Sequence, residues 1–216
     1  MIRLFTLILS LFTAVSLSGQ QIKIINELES QKSTYAKIAF QIWKWAELGY
    51  QEEKSSALLK KTLGDAGFTI QTDVAKIPTA FIAEYGSGHP IIAILAEYDA
   101  LPGISQKAIP IRDPLITGGA GHACGHHLFG TASIAAGITI KNWIKTNKIK
   151  GTVRVYGTPA EEGGAGKVYM VRAGLFNDVD AVLHWHPSSN NNANPGSSLA
   201  NKSAKFRFYG ESSHAA

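Results

Sequence analysis

The chain has 216 residues, 45% of them hydrophobic and 17% charged, enough for one to two domains with a real core and unlike a disordered or fibrous protein. Lysine and arginine number 21 against 16 acids, and this excess is spread without any block of five like charges, too thin for a nucleic-acid-binding surface. The single cysteine excludes an internal disulfide framework.

Met1 to Gln20 carries one positive charge at Arg3, an apolar run from Leu4 to Val15, and small Ser16 and Ser18 placed for cleavage. This is a secretory signal pattern. The run is shorter than the ~20 residues a membrane-spanning helix needs, and Thr6, Ser10 and Thr13 interrupt it. We therefore expect a signal peptide over 1–18 and an exported protein, periplasmic or secreted, with no membrane attachment after cleavage.

Apolar residues at helical spacing predict a helix within Asn26 to Leu48 and a second over Glu53 to Ala66, before Gly67. Short β-rich runs follow at Phe68 to Thr72, Ala80 to Tyr85 and Pro90 to Leu95. The last contains the almost unbroken apolar stretch of a strand covered on both faces. A Gly- and Pro-rich loop over Ala100 to Gly125 leads to a helix over Leu128 to Lys145. A strand at Thr152 to Tyr156, a helix at Gly166 to Ala173 and a strand at Ala181 to Trp185 complete the series. Alternation of this kind predicts an α/β layer architecture with a mostly parallel central sheet flanked by helices. Ser188 to Ser198 has linker composition, and Ala204 to Tyr209 has the pattern of a further strand.

Four polar segments fall where the pattern places strand ends: AEYDALPG at Ala96 to Gly103, GHACGHH at Gly121 to His127, PAEEGGAG at Pro159 to Gly166, and LHWHP at Leu183 to Pro187. In an open α/β sheet, ligands gather at the carboxyl ends of strands. Cys124 lies between His122 and His126 just before a predicted helix. It can be a structural thiol, a nucleophile with a histidine base, or a metal ligand. Thiolate, imidazoles and paired carboxylates in one chain favour the ligand. Glu161 and Glu162 are adjacent acids whose side chains diverge on extended backbone, so one can bind metal while the other faces substrate. His184 and His186, two apart on a predicted strand, share a face. Asp99 is placed to accept a hydrogen bond from a ligand histidine and fix its tautomer; Glu97 has the same placement and no assigned role.

Together AEYDALPG, GHACGHHLFGTAS, GTPAEEGGAGKVYMV, DAVLHWHP and the terminal SSHAA resemble the M20 metallopeptidase and amidohydrolase family, and within it the branch that includes aminobenzoyl-glutamate hydrolases. The resemblance implies a zinc-peptidase-like catalytic domain, its N-terminal part here over 19–198, followed by the start of an α+β, ferredoxin-like lid and dimerisation domain over 199–216. It also implies two divalent cations, zinc or manganese with cobalt possible. Cys124 matches the bridging ligand, His126, Glu162 and His186 further ligands with His184 in reserve, and Glu161 the general base. His214 matches the lid residue that reaches the partner subunit's site and supports the oxyanion. A last metal histidine is expected beyond these residues. The implied activity is metal-dependent hydrolysis of N-acyl or N-aroyl amino acids or short peptides, by a homodimer or hetero-oligomer joined through the lid. Two alternatives accompany it: an inactive N-terminal fragment or metal-binding regulatory module, and a thiol hydrolase using Cys124.

Overall fold

The computed structural model describes residue 19, residues 21–193 and, beyond them, 196, 197, 199, 200, 202, 204, 206, 207 and 209. The expected signal segment and His214 lie outside the described residues. Within the expected strand at 204–209, the described residues 204, 206, 207 and 209 belong to no strand. The start of a lid domain is therefore not seen among the described residues.

Residue 19 and residues 21–30 (α1) are helical, and after a turn at Gln31 the chain continues as α2 (Lys32–Trp45). The single helix expected over this stretch is thus two, and it stops short of Leu48 because Ala46 turns left-handed, with φ 43°, while its N–H still bonds Ile42. Next come α3 (Glu53–Asp65), β1 (Thr69–Thr72), a 3₁₀ turn (Val74–Lys76), β2 (Phe81–Ser87) and β3 (Ile91–Ala96). The long loop then gives way to α4 (His126–Asn147), β4 (Gly151–Gly157), a single turn α5 (Glu161–Gly164), α6 (Gly166–Arg172) and β5 (Ala181–Leu183).

Among the described residues the strands form one sheet in the order β1-β2-β4-β3-β5. The parallel part is β4-β3-β5; β1 and β2 extend it with antiparallel pairings, so the sheet is mixed. The reason is local. Only a few residues around Gly88 to Pro90 separate β2 from β3, far short of the crossover a parallel pair needs, whereas α4 supplies that crossover between β3 and β4.

Period-two alternation divides the sheet's side chains between two cores. Phe81, Ala83, Ile94, Val153 and Val155 face Ile38, Ile42, Leu59, Leu63 and Ile134 from α2, α3 and α4. Ile82, Ala93, Leu95 and Tyr156 pack on the other face against Met170 of α6 and Ile77. Leu59, Leu63, Ile134 and Val153 are fully buried, each contributing roughly 1.5–3 kcal/mol relative to exposure. Helices on both faces account for the nearly continuous apolar reading of β3.

From β3 the chain passes through α4 to β4 on one side, then through α5 and α6 to β5 on the other. The carboxyl end of β3 therefore sits where the connections diverge, the topological position at which α/β folds open a ligand crevice.

Candidate metal centre

The crevice is built from four segments. Glu97, Tyr98 and Asp99 continue β3, residues 158–162 continue β4, and His184 to His186 continue β5, which is two residues shorter than expected. The two histidines thus lie beyond the strand and not on it, yet both still reach the crevice. The fourth segment is the start of α4. Gly125 precedes it with φ 81°, in the left-handed region that glycine enters without penalty. A Cβ there would meet Pro187 at 2.9 Å, so glycine also lets the segment following β5 lie directly against this loop. The consequence is measurable: Cys124 Sγ stands 3.3 Å from His186 Nε2.

His126 is the hub. Its ring is fully buried, and Nδ1 lies 2.9 Å from Asp99 Oδ1. The other Asp99 oxygen accepts the backbone N–H of Glu162 at 2.8 Å, so one carboxylate ties the histidine to the acidic turn. Nε2 of His126 then faces the crevice. It lies 3.0 Å from Glu97 Oε2 and 3.9 Å from Glu161 Oε2, but neither Nε2 nor Glu97 Oε2 has a hydrogen-bond partner. Glu162 Oε1 is a third buried atom without one. Buried polar atoms are seldom left unsatisfied, and a cation in the crevice would give such atoms a partner. Two groups of donor atoms converge here: Cys124, His126 and His186, and Glu97, His126 and Glu161. Thiolate and imidazole suit zinc, and carboxylate with imidazole also suits manganese, so the residues present fit a divalent-metal centre.

The acids emerge from a strained turn. Ala160 is left-handed with φ 57°, and α5 follows at once, with Glu162 departing from helical geometry at ψ 71°. The extended backbone expected under Glu161 and Glu162 is absent; the αL step at Ala160 starts a helical turn instead. Their side chains diverge all the same, Glu161 toward His126 and Glu162 toward the Cys124 thiol. An arm from the α2–α3 connection holds this turn. Glu52, fully buried, accepts the Ala160 N–H at 2.8 Å, and the Tyr50 hydroxyl donates to Gly164 O. Gly49 allows the arm to approach, since a Cβ there would touch Ala160 at 2.9 Å. The sequence motifs contained no sign of this arm, because its role depends on a contact between residues 108 positions apart.

The electrostatics follow the geometry. Burial works against a charged His126, but the carboxylates of Asp99 and Glu97 outweigh it and bring the imidazole up to about 10. Burial likewise opposes a charged Glu97, and His126 with Lys167 overcomes it, leaving the acid at about 2. For Cys124, burial and the carboxylates of Glu162, Glu161 and Glu97 act together and push the thiol up to about 12. A metal-free thiolate nucleophile has no support in these surroundings; a divalent cation would reverse the sign.

Cys124, His126, His186, Glu161, Glu162 and Asp99 are therefore gathered in one place, as the sequence motifs predict. Glu97 is a buried carboxylate of the crevice left unassigned by sequence, and its position two residues before Asp99 on the same strand end was the available signal. His184 Nε2 lies 3.4 Å from Glu97 Oε1, a neighbour of that carboxylate and not of Cys124.

Residues 93–213 match the family model described as peptidase family M20/M25/M40. The chain belongs to the M20 peptidase family. It is 47% identical over 194 residues to the B component of the p-aminobenzoyl-glutamate hydrolase of Escherichia coli, a match that covers 89% of this chain and 40% of that protein. It is 32% identical over 188 residues to the Xaa-Arg dipeptidase of Mus musculus, covering 81% of this chain and 39% of the relative. The chain thus spans about two fifths of the length of these curated relatives. Among solved structures, the Bacillus subtilis YXEP protein, a dinuclear metal binding peptidase from the M20 family, superposes with a TM-score of 0.62 at 29% identity, covering 71% of this chain and 42% of the other.

Proposed function

We propose that this M20 chain carries the metal-binding and acid–base half of an amidohydrolase that cleaves the amide bond of an N-acyl or N-aroyl amino acid, of the p-aminobenzoyl-glutamate kind, or of a short peptide. The observation that carries it is the convergence of Cys124, His126 and His186 with Glu97 and Glu161 at the carboxyl end of β3. The 47% identity to an enzyme named for p-aminobenzoyl-glutamate favours an aroyl amino acid over a peptide.

In this reading Cys124, His126, His186 and Glu162 hold two divalent cations, zinc, manganese or cobalt. When bound, such cations polarise a carbonyl oxygen and acidify water. Asp99 accepts the Nδ1 proton of His126 and so presents the Nε2 lone pair to the crevice. Glu161, its side chain 44% exposed, is open to both water and substrate. Its carboxylate accepts the proton of the attacking water and returns it to the leaving amine, a task worth roughly 10² to 10⁴ in rate. His214 supports the developing oxyanion from across the dimer. Met1 to Gln20 directs export, and the E. coli relative, named as one component of its hydrolase, favours assembly with a second chain.

The test is hydrolysis of p-aminobenzoyl-glutamate, N-acetyl amino acids and dipeptides by the purified full-length protein, before and after chelation. The expected result is loss of activity on chelation and its return with zinc or manganese. Activity that resists chelation but disappears on thiol alkylation would overturn the metal reading in favour of a Cys124 nucleophile.

A further inference from the structure

The ladder between β3 and β5 ends at Leu183, so among the described residues no strand pairing reaches the two crevice histidines that follow. Both are exposed. Their position therefore depends on what the side chains of this segment pack against, and those contacts converge on one ring. Phe129 is fully buried in the core it shares with Ala93, Leu95 and Met170, where close packing fixes it in place. Around it stand His184, Trp185 and His186, with ring centroids 5.0, 5.5 and 6.0 Å away and interplanar angles of 83°, 70° and 67°. Edge-to-face approach at such distances is a favoured geometry of aromatic pairs. His126, Phe129 and Ser133 follow at i, i+3 and i+7 along α4 and so share one helix face. The Trp185 indole is tied to that face twice, by Phe129 and by its Nε1, which donates to Ser133 Oγ at 3.2 Å. On either side of it the imidazoles part, His184 toward Glu97 at 3.4 Å and His186 toward Cys124 Sγ at 3.3 Å. His186 Nδ1 lies 2.8 Å from Pro187 O. A carbonyl only accepts, so Nδ1 carries the proton and Nε2 offers its lone pair on the thiol side. The hydrolytic steps give Phe129 and Trp185 no task.

We propose that Phe129 is a positioning residue: through its contacts with Trp185 and His186 it keeps His186, and not His184, beside Cys124, and thereby sets the affinity of the site for its cation. The proposal rests on cation binding by Cys124 and His186, as in the proposed function, and adds what holds an exposed histidine in a ligand's place. Leucine at 129 would fill most of the same volume but lack the flat ring against which the other rings stand, and residues 184–186 would then be free to turn.

The experiment is titration of the metal-stripped full-length protein with Co²⁺, followed by the near-ultraviolet thiolate-to-cobalt band and by the visible bands that report the other ligands. Wild type is compared with Phe129→Leu, Trp185→Leu and a control, Phe68→Leu, with a thermal melt of each. Phe68 is a buried phenylalanine of the opposite core, next to Tyr85, so its leucine variant loses comparable packing away from residues 184–186. Wild type should show the thiolate band. Phe129→Leu should bind cobalt about 10- to 100-fold more weakly, the range seen when the support of a metal ligand is removed, with its visible bands shifted. Phe68→Leu should melt at lower temperature and keep the wild-type affinity and spectrum. Trp185→Leu, which removes the other ring of the same contact, should weaken binding likewise and answers the question should Phe129→Leu not fold. Wild-type affinity and spectrum in the Phe129 or Trp185 variant, or an equal loss in Phe68→Leu, overturns this proposal and leaves the hydrolase reading standing. A wild-type protein that binds no cobalt, or binds it without a thiolate band, overturns the metal reading and this proposal with it.

Discussion

His126 and His127 are neighbours in the chain and opposites in the fold. One residue of α4 rotates the side chain by about 100°, which is enough to separate two environments. His126 lies among the carboxylates of Asp99, Glu97 and Glu161 and is brought up to about 10. His127 turns toward His122, ring centroids 5.0 Å apart; burial, followed by repulsion from the neighbouring imidazoles, brings both rings down from the ordinary 6.5 to about 4. His122 Nε2 lies 3.2 Å from Ile42 O, anchoring this side to α2. The carboxylate side of the α4 start is arranged for chemistry and the other for packing, although the motif GHACGHH presents its histidines as equals.

Replacing groups on the carboxylate side should alter chemistry and cation binding. The largest effect is expected of Glu161→Ala, which removes the proposed base but none of the Cys124–His126–His186 group: turnover should fall by roughly 10² to 10⁴ while elemental analysis still finds bound metal. An apoprotein, or full turnover, contradicts the division of labour among the acids. Asp99→Asn should come next, because it disturbs the partner that fixes His126; cation affinity measured by calorimetry should drop by about 10- to 100-fold.

Changes on the packing side should alter stability and leave the cations in place. His122 and His127 hold fewer protons folded than unfolded between pH 6.5 and about 4, so their contribution to stability is complete above pH 6.5 and is lost as the pH falls through that window. His127→Leu should shift the midpoint of acid unfolding, followed by circular dichroism, to lower pH without reducing metal content. If that variant loses its cations, the two sides of the helix start are not separable. The smallest effect should come from Ile134→Val, about two turns farther along α4 in the fully buried core: about 0.5–1.5 kcal/mol by chemical denaturation, with turnover untouched.

The sequence patterns show the elements whose environment is uniform. The run IIAILA predicts a strand covered on both faces because each side chain meets a core, and β3 is that strand. The crevice residues Cys124, His126, His186 and Glu162 are identifiable because their chemistry is distinctive and sits in short motifs. What escapes a linear pattern is set by contacts across the chain. The antiparallel pairing of β2 with β4 follows from the brevity of the β2–β3 connection. The helical turn at Glu161 arises from the αL conformation of Ala160. Glu97 and Lys167 take their meaning only from each other. His184 and His186 share the crevice as expected, but divide between Glu97 and Cys124, a distinction that only the folded backbone beyond β5 makes.

The hold of Gly49, Tyr50 and Glu52 on the turn after β4 limits how far the PAEEGG motif can be transplanted. Grafted onto another parallel sheet, those six residues would bring both carboxylates and leave behind the arm that aims them. A designer borrowing this chemistry would have to move the α2–α3 connection along with the motif, or invent a substitute brace of equal reach.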